Sequence, residues 1–283
     1  MSAHAPQQGR PLTIRQLVSW KASGRKIVCA TAYDYTMARL VDQAGVDLIL
    51  VGDSLGNVVQ GHDTTIPVTV DDIIYHARAV RRAITRPHLV SDLPFMAYSI
   101  SVEDGMRNAA RLMQEGGVHS VKIEGGREHA ELVHRLVQAG VPVMAHLGLT
   151  PQSVHQLGGY RVQGRDADGA MRILEDAKIL EDAGAYAVVL ECVPEGLAHQ
   201  VSTALQIPTI GIGAGPQCDG QILVLHDLLG LNLEFKPKFV RRFAELGQLG
   251  IAALETYAES VREGSFPALG ETFDPEPPVA WAQ

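Results

Sequence analysis

Apolar and polar residues follow one another along the chain in a unit that recurs. Each unit is an amphipathic helical segment, then Gly or Ala-Gly, then a short β-branched run that ends at a polar residue or at glycine. Clear copies are QAGVDLILVGDS from Gln43, EGGVHSVKIEGG from Glu115, QAGVPVMAHLG from Gln138 and DAGAYAVVLECV from Asp182. The glycine stands where a helix C-terminus needs a left-handed residue before the chain turns into a strand. The pattern therefore predicts repeated βα units.

Eight apolar runs are candidate strands. They are Ile27–Ala32, Leu48–Gly52, His88–Leu93, Ser120–Glu124, Val143–Leu147, Ala187–Glu191, Thr209–Gly213 and Ile222–Leu225. Most are continuously apolar, as is typical of parallel strands covered by helices on one side and packed into a barrel interior on the other. The prediction is an α/β fold, a single (β/α)8 TIM barrel, with an open doubly wound sheet as the alternative. The link between the last two runs is too short for a crossover helix and fits the barrel poorly.

The segments outside the repeats predict how the barrel is closed. Thr13 followed by IRQLVSWKASG predicts an N-terminal capping helix that plugs the barrel bottom, and residues 239–261 predict closing C-terminal helices. One domain is expected to span residues 1–283, with 1–12 and 268–283 as peripheral tails. Two connections are long, Asn57 to Pro87 and Gly148 to Gly169. The second is rich in turn formers and is a candidate to close over a site.

Charge and cysteine content narrow the classes of protein. The formal net charge of -8 opposes an extended nucleic-acid surface, which needs clustered Lys and Arg. Cys29, Cys192 and Cys218 form no Cys-x-x-Cys pair, which argues against a zinc site or disulfide framework and for a reducing compartment. No apolar run approaches the roughly 18 residues of a membrane span. These features predict a cytoplasmic protein that binds small molecules rather than nucleic acid or membranes.

Acidic residues stand at the ends of four predicted strands: Asp53, Asp92, Glu124 and Glu191. In a barrel the C-terminal strand ends form the open functional face, so these carboxylates are expected at one rim. Converging carboxylates repel one another unless a cation compensates, and an all-oxygen donor set favours Mg²⁺. The alternative for Asp53 and Asp92 is N-capping of the following helices.

Two basic side chains are candidates to act beside these acids. Side-chain alternation places Lys122 on the same side of its strand as Glu124, where it can offset negative charge or hold a substrate oxygen. The alternative for Lys122 is a surface residue. His146 is expected either to donate to a substrate oxygen, to pair with Glu191, or to be a hydrogen-bonded core histidine.

Two further features carry weaker signals. Cys192 points away from the acids by alternation and is expected to be a small packed residue. The run GIGAG from Gly211 to Gly215 resembles the phosphate-binding turn found after late barrel strands, although a tight turn alone also explains it. No basic residue lies within the run to add charge.

Long motifs resemble those of one known family and occur in the same order. They are TAYDY from Thr31, VGDSLGNVVQGHDTTIPVTVDDIIYHARAVRRA from Val51, SDLPFMAY from Ser91, VKIEGG from Val121, HLGLTPQSV from His146, GGYRVQGR from Gly158, LECVP from Leu190, IPTIGIGAG from Ile207 and DGQILVLHDLLG from Asp219. Together they resemble ketopantoate hydroxymethyltransferases over almost the whole chain.

The resemblance implies a reaction and an assembly. The reaction is transfer of a hydroxymethyl group from 5,10-methylenetetrahydrofolate to 3-methyl-2-oxobutanoate (α-ketoisovalerate), which gives ketopantoate and tetrahydrofolate on the route to pantothenate and coenzyme A. The resemblance also implies a homo-oligomer, a decamer, with one Mg²⁺ per subunit. The site residues it implies are Asp53, Asp92 and Glu124 for the metal, and the same two aspartates with Ser54 and Lys122 for the keto acid.

The family's catalytic base matches Glu191. A C–H bond next to a ketone is a poor acid in water, so the reaction needs both a base and stabilisation of the negative charge that develops on the keto oxygen. Partial burial on an apolar strand would raise the pKa of Glu191 toward the operating pH, and the metal and Lys122 would oppose that rise.

Two alternatives remain open from the sequence. The first is a Mg²⁺-dependent barrel enzyme like isocitrate lyase or phosphoenolpyruvate mutase, which also uses acids at strand ends and would turn over phosphonopyruvate without folate. The second is a barrel that has lost activity and serves in binding or assembly. Metal-dependent exchange of the acidic proton of the keto acid discriminates the second alternative from an enzyme.

Overall fold

The computed structural model describes residues 10–234 and 236–273. Eight parallel strands close into a barrel in the order in which they follow along the chain. The strands are β1 Ile27–Thr31, β2 Leu48–Val51, β3 His88–Asp92, β4 Ser120–Glu124, β5 Val143–Gly148, β6 Ala187–Glu191, β7 Thr209–Ile212 and β8 Gly220–Leu223. The predicted TIM barrel is confirmed, and every strand lies within two residues of its predicted bounds.

Helices precede, separate and follow most of the strands. They are α1 Ile14–Ser23, α2 Tyr35–Gln43, α3 Leu55–Val58, α4 Val70–Ala83, α5 Val102–Arg111, α6 Ala130–Gln138, α7 Val154–Leu157, α8 Ala167–Asp182, α9 Glu195–Ala204, α10 Leu225–Leu228 and α11 Leu246–Glu263. A π-helical turn, Leu112–Gly116, continues α5, and 3₁₀ turns lie at Arg127–His129, Pro151–Ser153 and Leu269–Glu271.

The link from β7 to β8 contains no helix in residues 213–219, all of which the structure describes. The barrel nevertheless closes, because β8 pairs in parallel with both β7 and β1. Gly220 permits this closure: a Cβ at this position would lie 2.6 Å from the carbonyl oxygen of Ile27. The poor fit of this link in the sequence therefore reflects a real feature, a (β/α)8 barrel without its seventh crossover helix.

Helix α1 plugs the barrel, as predicted. Thr13 caps it in a capping box: its side chain accepts from the Gln16 N–H, and its own N–H donates to Gln16 Oε1. Leu17, which is 1% exposed, packs into the core cluster with Ile27 and Leu48, at the starts of β1 and β2. The N-terminal end of the barrel is therefore closed and dry, and only the opposite end is left for chemistry.

The ordered N-terminal structure begins before the predicted tail ends. Leu12 is buried, its N–H donates to the Arg86 carbonyl (2.8 Å), and its carbonyl lies 2.9 Å from His88 Nδ1. Burial lowers the pKa of His88 to about 4, so its ring is neutral. A neutral ring that donates from Nδ1 accepts at Nε2, where the Ser120 hydroxyl lies 2.9 Å away. Leu12 thus belongs to the barrel floor rather than to a peripheral tail.

The chain divides into two compact units. Among the described residues, the first comprises the barrel up to Leu225 together with Pro237–Val240, and the second comprises residues 226–234, 236 and 241–273. The closing helices predicted over 239–261 are one helix, α11, which begins only at Leu246. No described helix is long and apolar enough to cross a membrane. The single-domain boundary of 1–283 stays a prediction.

Replacing Leu17 by Ala is expected to lower the free energy of unfolding by about 2 to 5 kcal/mol, because it leaves a cavity at the barrel floor. Chemical denaturation measures the loss. Arg15→Ala, an exposed position on the same helix, is the matched control. Equal stability of the two variants would contradict the role of α1 as a plug.

Candidate active site

The predicted acids lie together at the C-terminal rim of the barrel, the edge formed by the strand ends. Asp92, Glu124 and Glu191 are the last residues of β3, β4 and β6, and Asp53 follows β2 by two positions. Asp53, Asp92 and Glu124 are buried, whereas the Glu191 side chain is 15% exposed. The structure therefore separates three enclosed carboxylates from one that is more open.

Asp53 and Asp92 are joined directly through the backbone. The Asp53 N–H donates to Asp92 Oδ2 at 3.0 Å. A Cβ at Gly52 would lie 3.2 Å from the same oxygen and 3.0 Å from Ser54 Oγ, so glycine is what lets the chain approach this closely. Asp92 Oδ1 has no well-aligned hydrogen bond, although it lies 2.9 Å from the Lys122 ammonium.

Neither aspartate caps a helix. The residue that precedes α3 is Ser54, which makes no side-chain capping bond, and the N-cap of α5 is Ser101, nine positions after Asp92. The capping alternative for Asp53 and Asp92 is therefore wrong. Ser54 Oγ instead lies 2.7 Å from the hydroxyl of Tyr33, which is buried and holds the serine in place at the rim.

Lys122 is buried among the acids and is not a surface residue. Its side chain is 4% exposed, and Nζ lies 2.9 Å from Asp92 Oδ1 and 3.7 Å from Glu124 Oε1. Burial acts to lower the pKa of Lys122, but the charges of Asp92 and Glu124, with that of Asp53, outweigh it and raise this pKa. Lys122 is therefore a permanent cation of the cluster.

The carboxylates differ in how far their negative charge is compensated. Burial, followed by the charges of Asp92 and Glu124, raises the pKa of Asp53 well above its usual value. Burial also raises the pKa of Asp92, with Lys122 opposing the rise. For Glu124, contacts with His146 and Lys122 outweigh burial and lower the pKa. One ammonium among three carboxylates leaves an excess of acidic groups in the cluster, which is why Asp53 resists ionisation.

His146 connects the enclosed acids to Glu191. Its Nδ1 lies 3.1 Å from Lys122 Nζ and 3.4 Å from Glu124 Oε1, and its Nε2 lies 3.3 Å from Glu191 Oε2. In the neutral ring Nδ1 can accept from Lys122, and in the protonated ring Nδ1–H can face Glu124 instead; in either form Nε2–H can face Glu191. Burial and the charge of Lys122 act to lower the pKa of His146. Contacts with Glu124 and Glu191 outweigh them and raise this pKa to about 9. His146 Nε2 is thus near Glu191 without a well-aligned hydrogen bond to it, and pairing with Glu191 stays a prediction.

Two residues at the site were not singled out from the sequence, Gln152 and Tyr98. Gln152 Nε2 donates to Asp53 Oδ2 (2.8 Å), and the Gln152 N–H donates to Glu124 Oε2 (3.0 Å). The Tyr98 hydroxyl lies 2.9 Å from Gln152 Oε1 and accepts from the Glu124 N–H. Both lie in loops, where strand alternation says nothing of direction. Their only signal was membership of the motifs SDLPFMAY and HLGLTPQSV.

The long connection from Gly148 to Gly169 reaches over the rim. Its 3₁₀ turn carries Gln152 into the cluster, and its ends are tied to β6: the Leu149 N–H donates to Glu191 O (2.8 Å) and the Gln163 N–H to Cys192 O (2.9 Å). Tyr160 of this loop stands within electrostatic reach of the acids, since burial and then Glu191 raise its pKa. The predicted placement of this loop over a site agrees with these contacts.

The donor set fits a hard divalent cation. No group of three His, Cys, Asp or Glu side chains within residues 10–234 and 236–273 is arranged as a ready cage, since Lys122 lies against two of the acids. The excess of carboxylates over cations and the oxygen-only donors match Mg²⁺ better than zinc. The residues able to hold it are Asp53, Asp92 and Glu124.

Side chains of other residues occupy the space beside the GIGAG turn. A Cβ at Gly213 would lie 2.9 Å from the Phe239 ring, and one at Gly215 would lie 2.6 Å from the Glu195 side chain. A carboxylate beside the turn opposes phosphate binding, so the tight-turn alternative fits better.

Cys192 has φ 47°, and burial, followed by Glu191, raises its pKa to about 12, which leaves the thiol protonated and unreactive.

Comparison with known sequences decides the family. A family model described as ketopantoate hydroxymethyltransferase matches residues 11–269. The chain belongs to the ketopantoate hydroxymethyltransferase family. Relatives named 3-methyl-2-oxobutanoate hydroxymethyltransferase include one from Alkalilimnicola ehrlichii, 55% identical over 95% of this chain and 96% of the relative. Another, from Syntrophus aciditrophicus, is 53% identical over 94% of this chain and 98% of its own. This family membership makes the protein an enzyme, a transferase.

Solved structures share the fold of this ketopantoate hydroxymethyltransferase family member. A phosphonopyruvate hydrolase in complex with oxalate and Mg²⁺ superposes with a TM-score of 0.59 at 15% identity, covering 92% of this chain and 93% of the other. A 2,3-dimethylmalate lyase, described as a phosphoenolpyruvate mutase/isocitrate lyase superfamily member, gives 0.57 at 19% identity, covering 93% and 92%. At this identity the likeness shows the barrel alone.

Replacing Lys122 by Met is expected to lower the free energy of unfolding at pH 7 by about 3 to 5 kcal/mol, because it leaves the buried carboxylates without the ammonium group that compensates their charge. The raised pKa of Asp53 favours the folded state at low pH, and this contribution is lost as pH rises through that pKa. The loss of free energy of unfolding caused by Lys122→Met should therefore be smaller when denaturation is measured at pH 5.

The exposed substitution Lys178→Met is the matched control. A loss in the Lys122 variant that is no larger than in this control, or a loss that grows at low pH, would contradict the charge balance described for the rim.

Proposed function

We propose that this protein transfers a hydroxymethyl group from 5,10-methylenetetrahydrofolate to 3-methyl-2-oxobutanoate, giving ketopantoate (2-dehydropantoate) and tetrahydrofolate for pantothenate and coenzyme A biosynthesis. The observation that carries the proposal is the buried cluster of Asp53, Asp92, Lys122 and Glu124 with the more open Glu191 beside it, in a chain of this family. Removal of a proton beside a ketone requires a base and positive charge near the keto oxygen; Glu191 would supply the first, and Lys122 with a cation held by the acids would supply the second.

Asp53 and Asp92, with Glu124, would hold one Mg²⁺, and the bound ion supplies Lewis-acid polarisation of the keto oxygen. Ser54 and Lys122 lie beside these aspartates and can bind the carboxylate or keto oxygens of the acid. The buried Lys122 ammonium also lies where it can offset negative charge that develops on the substrate. These assignments, like the identity of the folate co-substrate, are proposals.

Glu191 is the proposed base. It accepts the proton from the carbon next to the carbonyl, and the electron pair of that C–H bond forms the new C–C bond to the methylene carbon of the folate. Both C–N bonds of that carbon break as tetrahydrofolate leaves. A water molecule supplies the hydroxyl group, and its second proton, with the proton taken by Glu191, goes to the two folate nitrogens. His146 Nε2, 3.3 Å from Glu191 Oε2, orients the carboxylate. The greater exposure of Glu191 compared with the other acids fits a group that must meet substrate. A cytoplasmic location stays a prediction from composition.

The Glu191→Gln variant is expected to lose about 10²- to 10⁴-fold in turnover, because the amide cannot accept the proton. Product analysis with 3-methyl-2-oxobutanoate and 5,10-methylenetetrahydrofolate measures this, alongside Mg²⁺-dependent loss of deuterium from labelled keto acid. Glu131→Gln, an exposed position on α6, is the control.

Three outcomes would contradict this proposal in different ways. Full turnover by the Glu191→Gln variant would remove the base assignment. Turnover of phosphonopyruvate without folate by the wild type would favour the mutase-like alternative. Absence of metal-dependent deuterium loss in the wild type would favour the non-catalytic alternative.

We further propose that the protein forms a homo-oligomer, with the decamer as the assembly that the family resemblance implies. Helix α11 supports self-association, because none of its 18 residues is buried. Several of its apolar side chains are exposed, among them Leu249, Leu254 and Tyr257 at 64%, 68% and 55%. Apolar side chains exposed in this way on a helix are a candidate for contact with a second copy of the chain.

Replacing Leu254 by Glu is expected to lower the mass of the assembly, because a charge in an apolar interface is left without a partner. Light scattering after size-exclusion chromatography measures the mass, for which ten 30.5 kDa subunits is the wild-type expectation. Gln248→Glu, on the opposite face of α11, is the control. A monomeric wild type, or an unchanged mass in the Leu254 variant, would contradict this interface.

A further inference from the structure

Gln152 is an uncharged residue enclosed by acids. It is 6% exposed, and its amide has a partner for each polar group: Nε2 donates to Asp53 Oδ2 (2.8 Å) and to the Leu93 carbonyl (3.0 Å), and Oε1 lies 2.9 Å from the Tyr98 hydroxyl. Because a carboxylate and a carbonyl can only accept, the NH₂ group must face Asp53 and Leu93. The amide therefore has one orientation, and its oxygen lies 2.9 Å from the Tyr98 hydroxyl, whose one proton is shared between this oxygen and the Glu124 carbonyl, also at 2.9 Å.

The backbone of Gln152 contacts the second acid. Its N–H donates to Glu124 Oε2 at 3.0 Å, so one residue engages one oxygen of Glu124 and one of Asp53. The other oxygen of Glu124, Oε1, is turned toward Lys122 and His146. Two carboxylates from different strands are thus oriented by a single loop residue.

The turn that carries Gln152 is anchored on both sides. Pro151 opens the 3₁₀ turn, with its φ fixed by the ring, and the flanking loop is tied to the end of β6 through Leu149 and Gln163. A shorter amide would not span from the Glu124 contact to Asp53, and a carboxylate in its place would face Asp53 and the Leu93 carbonyl with no donor. The position therefore requires both the length and the NH₂ group of glutamine.

From these contacts we infer that Gln152 is a positioning residue for the metal-binding carboxylates: it sets the orientation of Asp53 and Glu124 and couples the Gly148 to Gly169 loop to divalent-cation binding. The inference rests on the proposed function in so far as these carboxylates bind a cation. Groups that orient ligands from behind contribute about 10- to 100-fold to metal affinity. By linkage, cation binding in turn stabilises the loop in the position seen here.

The test measures Mg²⁺ affinity of the full-length protein by calorimetry, without substrate. Gln152→Met keeps length and burial but removes every side-chain hydrogen bond, and it is expected to weaken binding by about 10- to 100-fold. Gln156→Met, an exposed position on α7 in the same loop, is the matched control and is expected to bind Mg²⁺ like the wild type. Tyr98→Phe removes a hydroxyl that contacts both the Gln152 amide and the backbone of Glu124, and it is expected to weaken binding by less.

A second readout separates positioning from general destabilisation. Amide hydrogen exchange of residues 149–163 is expected to slow when Mg²⁺ is added to the wild type, and to respond less in the Gln152→Met variant. Tyr98→Phe combined with Gln152→Met is expected to lose less binding free energy than the sum of the two single losses, because both changes remove the contact between Tyr98 and Gln152.

The outcomes distinguish this inference from the proposed function. If the wild type binds Mg²⁺, Asp53→Asn loses it, and Gln152→Met binds like the wild type, the inference alone fails. If the wild type does not bind Mg²⁺, the proposed metal site fails and the inference falls with it. Should Gln152→Met not fold, as judged by thermal unfolding, the Tyr98→Phe variant decides: unchanged affinity overturns the coupling.

Discussion

The mutual repulsion of three buried carboxylates is the constraint around which this rim is built. Asp53, Asp92 and Glu124 are nearly inaccessible to water, and burial together with their neighbours raises the pKa of both aspartates. Each contact at the rim reduces that cost: the Lys122 ammonium, the Asp53 N–H on Asp92, and both N–H groups that Gln152 directs at the acids. The acids and the groups that contact them come from four separate segments: the ends of β2, β3 and β4, and the loop after β5. The charge cluster therefore depends on the barrel to hold these segments together.

The two ends of the barrel have different roles: the N-terminal end contributes to stability, and the C-terminal end carries the candidate active site. At the N-terminal end, Leu17 fills the interior, and the buried ring of His88 is neutral. At the C-terminal end the parallel strands deliver their last residues to one edge, where charges concentrate and one more open acid, Glu191, stands beside them. A rigid floor of this kind allows a strained, charged rim to keep its geometry.

The barrel architecture and the family carry different information about this protein. Phosphonopyruvate hydrolase and 2,3-dimethylmalate lyase share the barrel at under a fifth sequence identity, so the architecture by itself is compatible with several reactions. Membership of the ketopantoate hydroxymethyltransferase family rests instead on a match across residues 11–269. The proposed chemistry then depends on which side chains stand at the strand ends, and in particular on Glu191 being separate from the enclosed acids.

Sequence alone determined the barrel and its plug, because hydrophobic periodicity and strand alternation are local properties. It also determined that five side chains converge, because parallel strands carry their ends to one face. These are Asp53, Asp92, Lys122, Glu124 and Glu191. Tertiary structure decided what local pattern cannot encode. It showed that Asp53 and Asp92 cap no helix, that β8 closes without a preceding crossover helix, and that α11 has no buried residue. It also brought Tyr98 and Gln152 into the cluster, since the direction of a loop side chain is set by contacts between residues far apart in the chain.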